Sequence, residues 1–444
     1  MGGRKSPNSR DGSREQSKKQ PRGFARGHGA HHRHVSGKDA PRRIGTGRDR
    51  TDGAARLKNF TMLDDDAQAD LNKTQKSAEV EKSLQELGGA SSYGARMEGD
   101  RASGMVVEVR KGNFLTRITS AAPEAYAGSP QQNWKQGTII RTIVRGMLQQ
   151  FDLGLSSLVA PGDEIEMVIP PLSSENELFK HDVHAVLTKV HPRRNEFRRL
   201  HPSGRAIQTL ACNTDRVYVV ASAAEPDFRP GFVDRVLVCA AASGIPAALI
   251  LNKIDLGVRE RDEELLNVYR GLGVPVFTIS VRALLDPTSA DELSRAEVAR
   301  LIDHLAGSRS VLTGHSGVGK STLLRALDPS LDESVVRTGE VSSQTSKGTH
   351  TTTHARLFEL ALSGGRNAEI VDTPGVREFT PADTDRRNLW GWFPEIAKLQ
   401  GQCTYTNCTH TIEKGCAVLA AAERGEIHPR RHQSYVKIYQ TMPV

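Results

Sequence analysis

From residue 103 the chain runs in short stretches of alternating apolar and polar residues: GMVVEVRKGNFLTRI, TIIRTIVRGML, GDEIEMVI and DVHAVLTKVHPRRNEF. A period of two turns one face of each stretch inward, and the Gly, Pro and Asp residues between them supply turns. Roughly five such strands predict a small barrel of the oligonucleotide-binding (OB) type over residues 101–205. Past Arg205 the rhythm changes. Strands RVYVVASA, PAALILNK, VPVFTIS and SVLTG alternate with helices FVDRVLVCAAASG, RERDEELLNVYRGLG, SADELSRAEVARLIDHLAG and KSTLLRALD, and HARLFELAL and NAEIVDT add two more strands. Apolar strands separated by amphipathic helices predict a mainly parallel sheet covered on both faces, over residues 206–383. A last block, 384–444, opens on the aromatic WGWFPEIAKLQ and is expected to be small and helical.

The first hundred residues lack either period. Residues 1–50 hold 14 Lys and Arg against 4 Asp and Glu, a net of +10, whereas the whole chain is +8, so the basic character belongs to this arm. With one Phe and few branched aliphatics it cannot bury enough surface to offset the entropy of ordering. Residues 1–100 are therefore expected to be a disordered basic extension and linker, with KTQKSAEVEKSLQELGG as a helix within it. Scattered Arg and Lys suit contact with phosphates, and a solvated arm without a partner fits the same composition. The run HGAHHRH from His28 to His34 has no fixed frame for a metal. No run of about 18 apolar residues is present, so no transmembrane helix is expected. The N-terminus lacks the apolar core of a signal peptide, and the expected location is cytoplasmic.

The chemistry is concentrated in four motifs. GHSGVGKST, comprising Gly314, His315, Ser316, Gly317, Val318, Gly319, Lys320, Ser321 and Thr322, lies between a strand and a helix. Its glycines let backbone N–H groups face phosphate oxygens, Lys320 reaches the β and γ phosphates, and Ser321 offers a hydroxyl to Mg²⁺. NKID follows an apolar strand, and Asp255 can accept two hydrogen bonds from guanine that adenine cannot supply. Asn252 and Lys253 would brace that loop, and Ser280, closing VPVFTIS, is a further base-contacting position. DTPG places Asp372 to hold Mg²⁺ through water and the Gly375 amide to sense the γ phosphate. KGTHTTT offers Thr351 or Thr352 to the metal, with His350 as a catalytic helper; the position after DTPG, where many GTPases carry a water-orienting Gln, is Val376. An apolar side chain cannot position water, so slow intrinsic turnover is expected. Together these imply GTP as substrate, GDP as product and Mg²⁺ as cofactor.

The motifs stand in an unusual order, guanine loop before phosphate loop. A cut after DTPG, with the old termini joined, produces that order and leaves the site unchanged, because domain termini often lie close together. The core is therefore expected to be a circularly permuted P-loop GTPase. Near the C-terminus, Cys403, Cys408, His410 and Cys416 fall within 14 residues. Three thiolates and one imidazole make a closed set for one structural Zn²⁺. Cys212 and Cys239 stand alone in apolar surroundings and are expected to be buried thiols.

With these residues in view, the chain resembles the circularly permuted, ribosome small-subunit-dependent GTPase A family (RsgA/YjeQ), over roughly residues 104–439. The resemblance rests on VHPRRNEFRR, NKID, GHSGVGKST, KGTHTTT, DTPGV and CTYTNCTHTIEKGCAV in this order. It implies an OB barrel, a permuted GTPase core and a zinc-binding C-terminal domain in a monomer. It further implies GTP hydrolysis stimulated by the small ribosomal subunit, with that subunit and its rRNA as partners during late maturation. The competing expectations are a permuted GTPase acting on another RNA or a membrane-associated partner, and a non-enzymatic RNA-binding adaptor that retains a nucleotide site.

Overall fold

The computed structural model describes residues 100–110, 112–120, 135–144, 158–170, 184–200, 207–285, 291–331, 355–373 and 379–442. The basic arm with its expected helix and the KGTHTTT threonines lie outside the described residues, as do Gly375 and Val376.

Strands β1 (Asp100–Arg110), β2 (Asn113–Ile118), β3 (Ile139–Val144), β4 (Glu164–Ile169) and β5 (Ala185–Val190) close into a five-stranded barrel in the order β1-β2-β3-β5-β4, with β4 returning to β1. β1 can pair along both edges because it is long and carries a register shift between Val106 and Glu108. Closure brings β1 so near β2 that a Cβ on Gly104 would stand 2.3 Å from Thr116 Cγ2, so only glycine fits. The alternation seen in sequence fills the interior with Val106, Phe114, Ile118, Ile140, Ile165 and Met167. Each such side chain contributes about 1.5–3 kcal/mol. The run DVHAVLTKVHPRRNEF, expected as one β stretch, is divided. Pro192 lies between β5 and β6 (Glu196–Leu200), and a proline cannot donate to a ladder. β6 instead pairs with β7 (Ile207–Cys212) in a separate hairpin sheet.

The core sheet contains β8 (Arg216–Ser222), β9 (Ala247–Asn252), β10 (Val276–Thr278), β11 (Arg309–Gly314), β12 (Arg356–Leu362) and β13 (Arg366–Asp372) in the order β10-β9-β8-β11-β13-β12. All neighbours are parallel except β12, which runs antiparallel to β13 because a tight hairpin joins them. Alternate residues of β8 separate the two faces. Val217, Val219 and Ala221 meet α1 (Pro230–Ala242) and α2 (Glu260–Gly271), while Tyr218 and Val220 face α3 (Val281–Leu285), α4 (Glu292–Leu305) and α5 (Lys320–Leu327). Had the chain begun at β11, the spatial order would read 6-5-4-1-3-2, two runs wound outward from the strand before the phosphate loop. In this chain the β8–β10 run comes first, which is the circular permutation.

Two joints fix the core to its flanking domains. A bridge between Glu108 and Arg356 makes β12 the neighbour of β1, so barrel and core share one sheet. Beside it the buried Asp163 carboxylate accepts from Arg193 Nε and Nη2 at 2.7 Å and from Cys212 Sγ at 3.0 Å. Burial pushes the Cys212 thiol up, so it stays protonated. Cys239 is likewise a buried thiol.

The C-terminal domain comprises a 3₁₀ turn (Leu389–Trp392), α6 (Pro394–Ala397), α7 (Ala417–Glu423) and α8 (Pro429–Thr441) around Leu389, Phe393, Ile396, Val418 and Tyr435. It docks on α1 through Arg431, which is 3% exposed. Arg431 donates to Asp234 of α1 and, at 2.7 Å, to Glu395, and its guanidinium lies 4.7 Å from the Phe393 ring centroid. Tyr269 of α2 donates to the same Asp234 carboxylate at 2.7 Å. Both donors meet at Asp234 Oδ1, while Oδ2 is buried without a hydrogen-bond partner among the described residues; a buried charge is tolerated only when paired, so this joint favours one seating of the domain.

Candidate nucleotide and metal sites

β11 delivers the chain to Gly314, where a Cβ would stand 2.3 Å from the Val220 carbonyl oxygen, and Gly317 and Gly319 take φ of +82° and +94°. Those left-handed residues wrap the loop before α5 begins at Lys320. Lys320 is buried, and its Nζ donates to the Gly314 carbonyl at 2.9 Å and the His315 carbonyl at 3.2 Å, so the ammonium lies inside the loop. Val318 is buried under the loop, Ser316 is exposed on its rim, and Ser321 and Thr322 occupy the first turn of α5. A helix N-terminus beside a coiled glycine loop is suited to anions. His315 packs against Phe232 of α1 with ring centroids 4.2 Å apart and the rings tilted by 41°. Burial, aided by the positive charges of Arg229 and Lys320, holds its imidazolium down to about 4, so the ring is neutral at physiological pH.

The guanine-loop residues converge on this loop across a long sequence gap. Asn252 Nδ2 donates to the Val318 carbonyl at 2.9 Å, and its Oδ1 accepts from the Lys253 amide at 2.8 Å and the Val281 amide at 3.1 Å. One buried amide thus ties together the guanine loop, the base-contact loop and the phosphate loop. The fit is tight: a Cβ on Gly319 would stand 2.4 Å from Asn252 Nδ2. Lys253 adopts the left-handed conformation at φ 62° and donates to the Glu225 carbonyl. Asp255 is exposed, and one of its oxygens accepts from Ser280 Oγ at 2.6 Å. That bond aims the carboxylate; Ser280 is itself fixed by Ser294 Oγ, which accepts the Ser280 amide at 2.9 Å. Glu225, Ser294 and the Val281 amide support this site without any sequence signal, because each acts through a partner distant along the chain.

Asp372 ends β13 directly beside Leu312 of β11, close to the start of the phosphate loop. Thr373 secures this approach, its amide donating to the Leu312 carbonyl at 3.0 Å and its hydroxyl at 3.1 Å. The Ser321 hydroxyl and the Asp372 carboxylate are hard oxygen donors, the kind Mg²⁺ takes alongside phosphate. His350, Thr351, Thr352 and Gly375 lie outside the described residues.

In the C-terminal domain the ligand atoms of Cys403, Cys408, His410 and Cys416 all lie within 4.8 Å of one another. Cys403 Sγ stands 3.9 Å from Cys416 Sγ, and both sulfurs are 3.5 Å from His410 Nδ1. A tetrahedral zinc with Zn–S near 2.3 Å requires S–S edges of roughly 3.8 Å and somewhat shorter S–N edges. The donor set fits that ion in type, number and spacing. His410 reaches inward by adopting φ 58°, its carbonyl accepts from His432 Nε2 at 2.9 Å, and the Ala417 amide points at Cys403 Sγ from 3.4 Å.

A central phosphate loop, a guanine loop tied to it by Asn252 and the permuted strand order define a P-loop GTPase of the permuted class. The family model "RsgA GTPase" matches residues 190–381. "Small ribosomal subunit biogenesis GTPase RsgA" of Chlorobaculum parvum is 37% identical over 289 residues, covering 65% of this chain and 86% of that relative. The protein of the same name from Pseudomonas aeruginosa is 41% identical over 256 residues, 57% of this chain and 69% of its own. Among solved structures, YjeQ from Thermotoga maritima superposes with a TM-score of 0.49 at 25% identity, covering 77% of this chain and 98% of that one. The chain belongs to the RsgA GTPase family, and it is a GTP hydrolase.

The exposed Asp255 carboxylate yields a specific expectation. Asp255→Asn should weaken GTP binding about 10²-fold, two hydrogen bonds to a charged acceptor being worth about 3 kcal/mol together. Xanthosine triphosphate, which presents a carbonyl where guanine has an amino group, should gain affinity. Calorimetric titration with both nucleotides checks this, and an unchanged GTP affinity would remove Asp255 from the base site.

Proposed function

We propose that this protein binds the small ribosomal subunit, assists its late maturation and hydrolyses GTP under stimulation by that subunit, acting in the cytoplasm as a monomer. The named function of its relatives supports the partner. The observation that carries the reading is the path of the chain after Asp372. Because the core is permuted, that segment runs on to the cysteine domain rather than returning into the sheet. Phe379, six residues beyond Thr373, packs 5.4 Å from Phe197 and 6.2 Å from Phe232, ring centroid to centroid. A change at the γ phosphate would therefore reach a surface bordered by the β6–β7 hairpin, core and C-terminal domain, as in order–disorder switches of other GTPases.

In this reading the loop amides and Lys320 hold the phosphates and neutralise charge that grows on the β–γ bridge as it breaks. Asp255 and Ser280 orient guanine, and Asn252 and Lys253 keep the two loops in register. Mg²⁺ would supply further charge neutralisation at the phosphates when bound, and Ser321, Thr352 and Asp372 would hold it. Gly375 senses the γ phosphate and His350 assists the attacking water. Cys403, Cys408, His410 and Cys416 hold one structural Zn²⁺. With Val376 in place of a water-orienting Gln, completion of the catalytic geometry falls to the subunit.

Single-turnover hydrolysis of GTP with and without purified small subunits tests this. Stimulation of about 10³-fold is expected, the scale of catalytic groups completed in trans. Rapid hydrolysis by the isolated protein, or equal stimulation by large subunits, would contradict it.

A further inference from the structure

Between the phosphate loop and the C-terminal helix lies a groove of about 510 Å³. One wall is α8, which contributes Arg430, Gln433 and Lys437 at helical spacing. The other is the start of α1, with Arg229 and Arg235, and His315 of the phosphate loop also lines it. No carboxylate is among the described residues that line it. Arg430 is balanced by Asp262 at 2.6 Å, whereas Arg229 and Lys437 make no ion pair among the described residues. Arg235 is held against α8, donating to Thr441 Oγ1 at 3.0 Å and the Lys437 carbonyl at 3.5 Å. α1 adds its N-terminal partial charge here, with no acidic residue in its first turn.

We propose that this groove binds the phosphodiester backbone of RNA. The α8 wall runs from Arg430 to Thr441, about 16 Å at 1.5 Å per residue, which is longer than a single phosphate needs. A linear polyanion matches that length and charge. Phe232 and Phe379, the aromatic residues of the lining, are buried, so no exposed ring is offered for stacking bases and the contact reads backbone rather than sequence. The same lack of an exposed apolar anchor disfavours a protein partner, whose interface would need one at its centre. A strand seated here lies against His315 of the phosphate loop and against Phe379, six residues beyond Thr373 in the chain. The inference rests on the RNA-associated reading above only for the identity of the polymer.

The test uses the full chain loaded with GDP and a fluorescent single-stranded RNA of mixed sequence, about 20 nucleotides long so that it exceeds the groove. Affinity is measured across a salt series. The combined substitution Arg229→Gln, Arg235→Gln, Lys437→Gln should lower the slope of log affinity against log salt by about 2, at about 0.7 per lost single-strand phosphate contact. A charge-matched variant on the opposite face of the sheet, Arg295→Gln, Arg300→Gln, Arg366→Gln, should leave the slope as it was. GDP affinity and metal content serve as folding controls. An unchanged slope in the groove variant, or an equal fall in the charge-matched variant, overturns the proposal. So does competition by polyglutamate as strong as by RNA at equal charge. Sedimentation of the unsubstituted protein with small subunits runs alongside: its failure counts against the ribosomal reading and leaves the groove standing on the RNA slope.

Discussion

Removal of metal from the C-terminal domain is expected to unfold residues 403–427 and release α8 from α1, while the nucleotide core stays intact. Four buried or half-buried ligands crowd into a loop that is otherwise organised by hydrogen bonds rather than by apolar packing of its own: the Glu413 carboxylate accepts from the amides of Thr409 at 2.8 Å, Thr411 at 3.0 Å and Ile412 at 3.1 Å, and Tyr435 donates to the Thr409 carbonyl at 2.9 Å. Structural zinc contributes about 10–16 kcal/mol in small metal-organised domains, comparable with the gross burial of a core of some ten apolar side chains and larger than what that burial leaves once ordering entropy is subtracted. Burial pushes the free Cys408 thiol up to about 12, so metal entry must displace protons and affinity should fall as the solution is acidified. Hydrogen exchange measured before and after chelation, and on Cys416→Ser, would show the effect. Protection of α7 should drop at least about 10²-fold in both cases, with β11 unaffected. Full protection in the metal-free protein would mean that the cluster is not what organises the domain.

Lys320→Ala should lower kcat/KM for GTP hydrolysis by at least about 10³-fold, the scale of losing a preorganised cationic donor from a phosphoryl-transfer site. The side chain is buried with its ammonium inside the loop, so its loss also frees the Gly314 and His315 carbonyls to repel phosphate. A fall in kcat larger than the rise in KM is expected, because charge on the transferring group grows toward the transition state. Steady-state kinetics with stimulating subunits present would read this split. Unchanged melting temperature and metal content would separate loss of chemistry from loss of fold.

Legibility differed between the parts of the molecule for physical reasons. The barrel and core were readable because period-two and helical patterns are consequences of burial, which local sequence records directly. The permutation was readable because NKID and GHSGVGKST each mark a fixed place on a sheet, so their order along the chain reports its connectivity. The break of DVHAVLTKVHPRRNEF into β5 and β6 was not anticipated, although Pro192 was there to signal it.

By itself, then, the sequence determined the nucleotide chemistry, the metal donor set and the threading of the core, because each depends on residues close together in the chain or on the order of motifs. Tertiary structure alone decided that Asn252 joins three loops, that Arg431 locks the C-terminal domain to α1, and that Arg229, Arg235 and Lys437 line one groove. The longest of those contacts link residues 66, 197 and 202 positions apart. Their partners are chosen by packing, and local sequence carries no record of them.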